Sequence, residues 1–276
     1  MDAAEILTRF TDELWQSSPH TVSSRVFYAK LWLDFASRPP EKWDRSLVIS
    51  FLKRLEAEGY AKGTQRNIFQ IVKRVFDAAV APWPMGKRGA PKVQAADVVK
   101  PAAELDEIRT MVVAARTGKL EADQACFLAL STTYGLRREE LVRIGGNHVD
   151  YKMERIWIDT CKGGVQRYQV IPCEIVPYLR SHDFNKAYSL FDMSSLYGEI
   201  EEKAGVPHRD GAGWHSPRRA LDTILVQWDY IRCKIFLRWK LTGDMALAYV
   251  TLDPLKVDRE VFEVHPFLPF WREEGG

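Results

Sequence analysis

Polar side chains at distant positions of the sequence are of the types that transfer a phosphodiester. Arg137 and Arg218 carry guanidinium groups, and two such groups can neutralise the non-bridging oxygens of one phosphate as charge builds up in a pentacovalent transition state. Lys162 and His215 can move protons to or from the reacting oxygens. Tyr249 supplies an oxygen nucleophile that stores the cleaved bond as a phosphoester. Together these groups suit phosphodiester transfer without a metal ion.

The first arginine follows a glycine in the stretch 133–143, TYGLRREELVR. An apolar run predicts a buried helix before this stretch, and Gly135 permits a tight turn. A new helix is predicted from Arg137 to Leu141, where backbone N–H groups at the helix start would assist an arginine in gripping a phosphate. The alternative interpretation of Arg137 and Glu140 is a local ion pair on a solvated helix face.

The lysine lies between two predicted strands. Residues 155–160 (RIWIDT) and 167–172 (RYQVIP) alternate as strands do, and Gly163 and Gly164 lie between them. This pattern predicts a β-hairpin with Lys162 at its tip. A lysine in such a turn is otherwise an ordinary solvated cation.

The remaining candidates lie on helices near the end of the sequence. His215 and Arg218 form an H-x-x-R step, and a long helical region is predicted from about 218 to 237. Tyr249 lies in a last predicted helix around 244–251. Individually, the histidine could be a helix cap and the tyrosine a half-buried helix aromatic.

The first part of the sequence predicts a bundle of four short amphipathic helices. Within residues 1–81, apolar residues recur at helical spacing in 3–15, in 21–36, after Asp44 and after Thr64. Asp44 is a suitable N-cap for the third helix. Four such helices are enough for a compact bundle.

Residues 82–101, PWPMGKRGAPKVQAADVVKP, have the composition of a linker. The stretch is rich in helix-breaking Pro and Gly and carries Lys87, Arg88 and Lys92. Its spaced cations could lie along a phosphate backbone, or the stretch could be an ordinary exposed hinge.

The rest of the sequence predicts a mainly helical domain with one small sheet. Besides the hairpin, helices are predicted at 102–115, 121–132, 177–181 and 193–204. The tail is too apolar to be solvated, so its aromatic residues should pack on this chain or on a neighbouring copy. These residues are Phe262, Phe267, Phe270 and Trp271.

Composition predicts a soluble, intracellular protein. The 276 residues are 46% hydrophobic and 28% charged, with no apolar run of membrane-spanning length and no signal-peptide pattern at the start. The four cysteines are scattered, which favours reduced residues over a disulfide framework or a zinc site. Net charge is only +2, although residues 1–100 contain 16 Lys and Arg against 11 Asp and Glu. No Walker, GxGxxG, HExxH or GxSxG motif is present.

The order GLRxxEL, hairpin lysine, HxxR and late-helix tyrosine resembles the tyrosine recombinase (phage integrase) family over most of the chain. The resemblance implies a mainly α fold with a small β-hairpin or sheet (α+β). It divides the chain into a helical core-binding domain at 1–81 that clamps DNA, a linker at 82–101 and a catalytic domain at 102–276. A C-terminal segment at about 252–276 would be exchanged between neighbouring subunits.

The resemblance also implies a role for each candidate residue. Arg137 and Arg218 would bind the phosphate, and Glu140 would support the first of them. Lys162 would be the general acid for the 5′-hydroxyl leaving group, beside the histidine of the HxxR step. Tyr249 would form a 3′-phosphotyrosyl link.

Two positions depart from the family pattern. Arg219 stands where the family usually has a second histidine, although the spacing from His215 favours Arg218 as the phosphate ligand. The family places a His or Trp nine residues before the nucleophile, whereas here Lys240 has that position and Trp239 precedes it. Trp239 is the preferred candidate, since its indole can donate one hydrogen bond.

The sequence therefore predicts a site-specific DNA recombinase or integrase that acts on double-stranded DNA. It would work without a metal or other cofactor, as a homo-tetramer on paired sites, in the cytoplasm on nucleoid or host-cell DNA and not at a membrane. The alternatives are a type IB topoisomerase-like enzyme and a catalytically inactive DNA-binding relative. The residues predicted to contact DNA outside the catalytic set are Lys87, Arg88, Lys92, Arg66 and Lys73.

Overall fold

The chain forms two compact units, Met1–Val99 and Lys100–Gly276, and each has its own hydrophobic core. A computed structural model describes residues 1–86, 89–94, 102–161, 163–241 and 252–272. Among these residues, no helix combines the length and the apolar character that a membrane span requires.

The first unit is helical. Trp32 lies at its centre, fully buried, and its ring packs edge-on against Trp43 and Phe51 at centroid distances of 5.6 and 5.2 Å. Asp44 caps the third helix as predicted, because its Oδ1 accepts a hydrogen bond from the Leu47 N–H at 2.8 Å. The helices are α1 (Ala3–Asp12), α2 (Pro19–Phe35), α3 (Arg45–Ala57) and α4 (Lys62–Ala78), with a 3-10 turn at Pro40–Lys42.

The second unit is helical around one small sheet, so the predicted α+β fold class is confirmed. Its helices are α5 (Leu105–Arg116), α6 (Ala122–Tyr134), α7 (Arg138–Leu141), α8 (Val176–Ser181), α9 (Leu190–Ala204), α10 (His215–Trp228), α11 (Tyr230–Phe236) and α12 (Pro254–Val264). Its 3-10 turns are Gly146–His148, Cys173–Ile175 and Leu268–Trp271.

The sheet contains the predicted hairpin and one further strand. Strands β1 (Val149–Asp150), β2 (Arg155–Ile158) and β3 (Arg167–Val170) are antiparallel in the order β1-β2-β3, with Ile156 opposite Gln169. Two residues are too few to show an alternating pattern, which is why β1 could not be predicted.

Helix α6 passes through the middle of the second core. Every residue from Gln124 to Tyr134 is buried, which is typical of a helix surrounded by other elements on all sides. Its C-terminus therefore lies inside the unit, and the GLRREEL stretch follows it directly.

The long helix predicted from 218 to 237 is in fact two helices. Helix α10 begins at His215 and ends at Trp228, and α11 begins after Asp229. Asp229 has an extended backbone, and its Oδ1 accepts a hydrogen bond from the Arg232 N–H at 2.9 Å, so it caps the second helix. Apolar periodicity continues across this break and conceals it. The helix predicted at 244–251 lies outside the described residues.

The apolar tail packs on its own chain. The Trp271 indole N–H donates to Thr132 Oγ1 at 3.1 Å, and His265 Nε2 donates to the Thr133 carbonyl at 3.0 Å. His265 Nδ1 accepts from two backbone N–H groups, so the imidazole is neutral, and burial lowers its pKa to about 4. The sequence left open whether the tail packs on this chain or on a neighbouring copy. In the described residues it packs on its own chain.

A buried ion pair fastens α12 to the sheet. Asp258 is fully buried, and its two carboxylate oxygens accept from Arg167 Nη1 at 2.9 Å and Nη2 at 2.6 Å. The side chain of Gln169 and the backbone N–H of Val170 also donate to Asp258, at 3.2 and 3.1 Å. A carboxylate with this many donors can remain charged away from water.

Replacing Asp258 with Asn should destabilise the protein strongly, because Arg167 would then be buried without a carboxylate. We expect the free energy of unfolding to fall by roughly 3 kcal/mol, measured by urea denaturation. Arg259→Gln is the matched control, since Arg259 is exposed on the same helix and should change stability by less than about 0.5 kcal/mol. Equal effects of the two substitutions would contradict this view of α12.

Candidate phosphate-binding site

A glycine turn places the first candidate arginine. Helix α6 ends at Gly135, whose φ of 59° is left-handed. A Cβ at this position would lie 3.0 Å from Leu237 Cδ2 and 3.4 Å from Arg218 Cγ, so only glycine fits both the backbone and the space. Arg137 then caps the one-turn helix α7, and its N–H donates to Glu140 Oε2 at 2.9 Å.

Glu140 is the centre of the site. Its carboxylate is fully buried and accepts from Arg137 Nη1 at 2.7 Å, from the Cys161 N–H at 3.2 Å and from Arg238 Nη2 at 3.4 Å. Arg218 Nη1 lies 4.0 Å from it. Burial raises the pKa of Glu140, but the charge of Arg238, the hydrogen bond from Arg137 and the remaining arginines outweigh it, so the pKa lies below its ordinary value.

Arg218 is held rigidly by the backbone. Its Nη1 donates to the Gly135 carbonyl and its Nη2 to the Leu237 carbonyl at 3.2 Å, and the side chain is only 7% exposed. Burial, followed by the nearby charge of Arg137, lowers the pKa of Arg218 to about 10, so the guanidinium stays charged at neutral pH.

The cluster has an excess of positive charge. Three guanidinium groups lie within 4.0 Å of one carboxylate, and Arg137, with 19% of its side chain exposed, is the most accessible of them. Any two of these guanidinium groups carry more positive charge than is needed to balance the single negative charge of Glu140. The arrangement is therefore suited to binding an anion such as a phosphate at the surface beside Arg137 and Arg218.

The HxxR step places its two arginines in different surroundings. Arg218 points to Glu140, whereas Arg219 lines an adjacent cavity of about 270 Å³ together with Arg138 and His215. His215 is exposed at the first position of α10. Because Arg218 is the arginine that joins Arg137, the geometry agrees with the spacing argument that preferred it over Arg219.

The Trp239 ring lies beside the site. The Cζ atom of Arg218 is 5.9 Å from the ring centroid, within the range of a cation–π contact. Lys240 is exposed, and its Nζ lies 3.8 Å from the point where a Cβ on Gly163 would be, so it reaches the hairpin loop. The tryptophan is thus the residue that contacts the arginine cluster.

Two of the predicted catalytic residues, Lys162 and Tyr249, lie outside the described residues. The neighbours of the lysine in the hairpin loop are nevertheless attached to the site. The Cys161 N–H donates to Glu140 Oε1 at 3.2 Å, and the Val165 N–H donates to the Arg238 carbonyl at 2.9 Å.

The predicted DNA-contacting residues that are described belong to the first unit. Arg66 and Lys73 are exposed on α4, seven residues and so about two turns apart on one face, and Lys92 is exposed further along the chain. Lys87 and Arg88 lie outside the described residues.

Arg238 is the site residue that sequence reasoning missed. It lies in the run KIFLRWKL, among other cations, and nothing in its spacing distinguishes it from a solvated residue. The surrounding sequence offers no further signal, because the buried partners Glu140 and Gln169 are distant in sequence.

Comparison with known proteins identifies the fold. No model of a known protein family matches the sequence, and no curated protein matches it. Among solved structures, a lambda integrase dimer bound to a COC' core site has a TM-score of 0.68 at 14% identity, covering 92% of this chain and 98% of that one.

Other solved structures give the same result. A lambda integrase tetramer bound to a Holliday junction has a TM-score of 0.68 at 15% identity, covering 92% of this chain and 78% of that one. The XerH site-specific recombinase bound to its difH substrate has a TM-score of 0.61 at 13% identity, covering 99% and 85%. The chain therefore has the tyrosine recombinase fold, and the resemblance predicted from the sequence is confirmed at the level of the fold.

Replacing Glu140 with Gln should destabilise the protein, because the buried guanidiniums lose their shared carboxylate. We expect a loss of about 3 kcal/mol in the free energy of unfolding at neutral pH. Glu139→Gln, at the neighbouring position on α7, is the control and should cost less than about 0.5 kcal/mol.

The loss should also depend on pH in a defined direction. The folded-state pKa of Glu140 lies below the ordinary 4.5, so its contribution is present above pH 4.5 and disappears as the pH falls through the folded-state value. The difference between wild type and Glu140→Gln should therefore shrink in acid. A difference that grows in acid would show that Glu140 is protonated in the native state.

Proposed function

We propose that the protein is a site-specific DNA recombinase that cleaves and rejoins duplex DNA through a 3′-phosphotyrosyl intermediate. The observation that carries the proposal is the convergence of Arg137 and Arg218 on the buried carboxylate of Glu140, in a chain with the tyrosine recombinase fold. Fixed guanidiniums of this kind stabilise charge as it develops on a transferring phosphoryl group.

The chemistry assigns one role to each group. The Tyr249 oxygen attacks the phosphorus, a new bond from tyrosine to phosphorus forms, and the bond from phosphorus to the 5′-oxygen breaks. Lys162 gives a proton to the departing 5′-oxygen, and His215 accepts the proton that the Tyr249 hydroxyl loses as it attacks. Arg137 and Arg218 neutralise the non-bridging oxygens, so their charge does the work that a metal ion does in other phosphoryl transferases. Attack by a 5′-hydroxyl on the phosphotyrosine reverses the step and rejoins a strand.

The helical first unit would serve as the core-binding, DNA-clamping domain. Arg66 and Lys73 offer two cations on one face of α4, and Lys92 adds a third charge in the linker. In the part of the chain that the structure describes, no carboxylate lies within ion-pair distance of the two helix cations. Such cations suit phosphate contacts, and affinity based on phosphate contacts falls steeply with salt.

Assembly is proposed by analogy. Lambda integrase is known as a tetramer bound to a Holliday junction, and a chain of the same fold would act as a homo-tetramer on two paired DNA sites in the cytoplasm. Exchange of the segment at about 252–276 would then be a domain swap. In it, the segment makes on a neighbouring subunit the same contacts that it makes within its own unit.

The nucleophile is tested by recovering covalent protein–DNA adducts under denaturing conditions from cells that carry the gene with its native flanking DNA. Wild type should give adducts and Tyr249→Phe none, because the substitution removes only the attacking oxygen. Tyr230→Phe is the matched control, since Tyr230 is an exposed helix tyrosine, and it should behave as wild type.

Each other outcome selects an alternative. Adducts that persist in Tyr249→Phe would mean that another residue is the nucleophile. DNA binding without adducts in any variant would favour the catalytically inactive relative. Relaxation of supercoiled DNA by a monomer with no specific site would favour a topoisomerase.

The DNA contacts of the first unit are tested by the salt dependence of binding. Replacing Arg66 and Lys73 with Gln should reduce the slope of log K against log salt by about 0.9 for each lost contact. Lys53→Gln, at an exposed position on α3, should leave the slope unchanged if α4 is the contacting face. An unaltered slope in the double variant would place the DNA elsewhere.

A further inference from the structure

Arg238 is buried to a degree that is unusual for an arginine. Arg238 is 1% exposed, and it follows Leu237, the C-cap residue of α11. Its backbone is left-handed, with φ of 60°, a conformation that residues other than glycine and asparagine rarely adopt. Backbone strain of this kind persists only where the surroundings require it, and it is concentrated at functional sites.

The guanidinium of Arg238 connects separate parts of the second unit. Its Nη1 donates to Gln169 Oε1 and to the Tyr134 carbonyl at 3.2 Å. Its Nη2 donates to the same carbonyl at 3.3 Å and to Glu140 Oε2 at 3.4 Å. Its Nε is buried without a hydrogen-bond partner among the described residues. The two Nη atoms are therefore held by these acceptors, whereas Nε is buried away from water.

The charge of this group matters to its neighbour. Burial, partly offset by Glu140, lowers the pKa of Arg238 to about 9, so it is still a cation at neutral pH. Of the groups that lower the pKa of Glu140, Arg238 contributes most. Among the residues that the structure describes, Arg137 and Arg218 are the other charged groups that face this carboxylate, and the Cys161 thiol, whose pKa burial raises, lies beside it.

The backbone of Arg238 holds a second part of the site. Its carbonyl accepts from the Val165 N–H at 2.9 Å, while Glu140 accepts from the Cys161 N–H at 3.2 Å. Gly164 packs so closely on the Arg238 carbonyl that a Cβ there would lie 2.8 Å from it. Both ends of the hairpin loop are thus fixed to the pair formed by Arg238 and Glu140.

We propose that Arg238 is a positioning residue for the phosphodiester transfer: it keeps Glu140 ionised and oriented towards Arg137 and Arg218, and it anchors the loop that carries position 162. This inference rests on the proposed function. It adds a residue that acts through Glu140 and so determines where the arginines proposed to bind phosphate are placed.

The same guanidinium extends the network to α12. Gln169, which accepts from Arg238 through its amide oxygen, donates through its amide nitrogen to Asp258 at 3.2 Å. A continuous series of buried polar side chains therefore runs from the C-terminal helix to Glu140. Arg167, on the far side of Asp258, is a buried arginine of the same unit that does not contact Glu140, and it provides a matched control.

The test compares Arg238→Met, Arg238→Lys, Glu140→Gln and the double variant Arg238→Met/Glu140→Gln with wild type, using Arg167→Met as control. Methionine keeps the volume and the backbone strain and removes the donors. Arg238→Met should slow adduct formation by on the order of 100-fold, since misplacement by about 1 Å has that effect. DNA affinity should change by less than about threefold, because Arg137 and Arg218 still contact phosphate. Arg238→Lys should recover part of the rate, since it restores the charge but not the forked geometry.

The double variant separates positioning from mere stability. When Glu140 is already neutral, Arg238→Met should slow the reaction by less than about twofold further, because residues that act through one another are not additive. Arg167→Met should lower the melting temperature while the folded protein keeps its cleavage rate. A second 100-fold loss in the double variant, or a wild-type rate in Arg238→Met, would overturn the proposal.

The pH dependence gives a readout that requires no activity. In Arg238→Met, Glu140 should take up its proton at a higher pH than in wild type, measured through the carboxyl infrared band of the DNA-free protein. The cleavage rate should fall on the acid side over the same pH interval. If wild type forms no adduct, the proposed function fails while the infrared titration still decides about Arg238. An unchanged titration would overturn the inference even in an active enzyme.

Discussion

The second unit depends on the burial of one carboxylate among guanidinium groups. Glu140 could not remain ionised in the interior without donors on several sides, and Arg218 and Arg238 could not be buried as cations without an anion close by. Each charge makes the burial of the other possible, and the backbone carbonyls of Gly135, Leu237 and Tyr134 accept further hydrogen bonds from Arg218 and Arg238. Because cations outnumber the anion, the cluster has an excess of positive charge, which suits the binding of an anion.

This cluster is also a structural junction. The end of α6, the turn before α7, the loop after β2, strand β3, the first turn of α10, the end of α11 and α12 all contribute a donor or an acceptor to it or to the neighbouring pair of Arg167 and Asp258. Gln169 belongs to both groups, since it accepts from Arg238 and donates to Asp258. The site is therefore assembled only when segments far apart in the sequence are packed together, and the tail that completes the core also completes this network.

The sequence could predict what is local and not what is tertiary. The glycine turn, the arginine that follows it, the HxxR step and the cap at Asp44 depend on a few neighbouring residues, and the structure has each of them where the pattern indicated. The burial of Arg238 depends on Glu140 and Gln169, which are distant in sequence, so it could not be predicted from the sequence around it. The break at Asp229 was hidden because both helices present apolar residues to the same core.

The left-handed residue also determines where the next two side chains lie. At Arg238 the chain leaves α11 with a φ of 60°, and Trp239 donates its N–H back to the Lys234 carbonyl at 2.8 Å. This is how a helix ends in a left-handed cap, and such a cap redirects the next side chains. It places the Trp239 ring beside Arg218 and sends Lys240 towards Gly163. Glycine would adopt this backbone more easily than arginine, but it would leave Glu140 without its largest source of stabilising charge, so the strain at Arg238 is the consequence of using one residue both as a helix cap and as a buried cation.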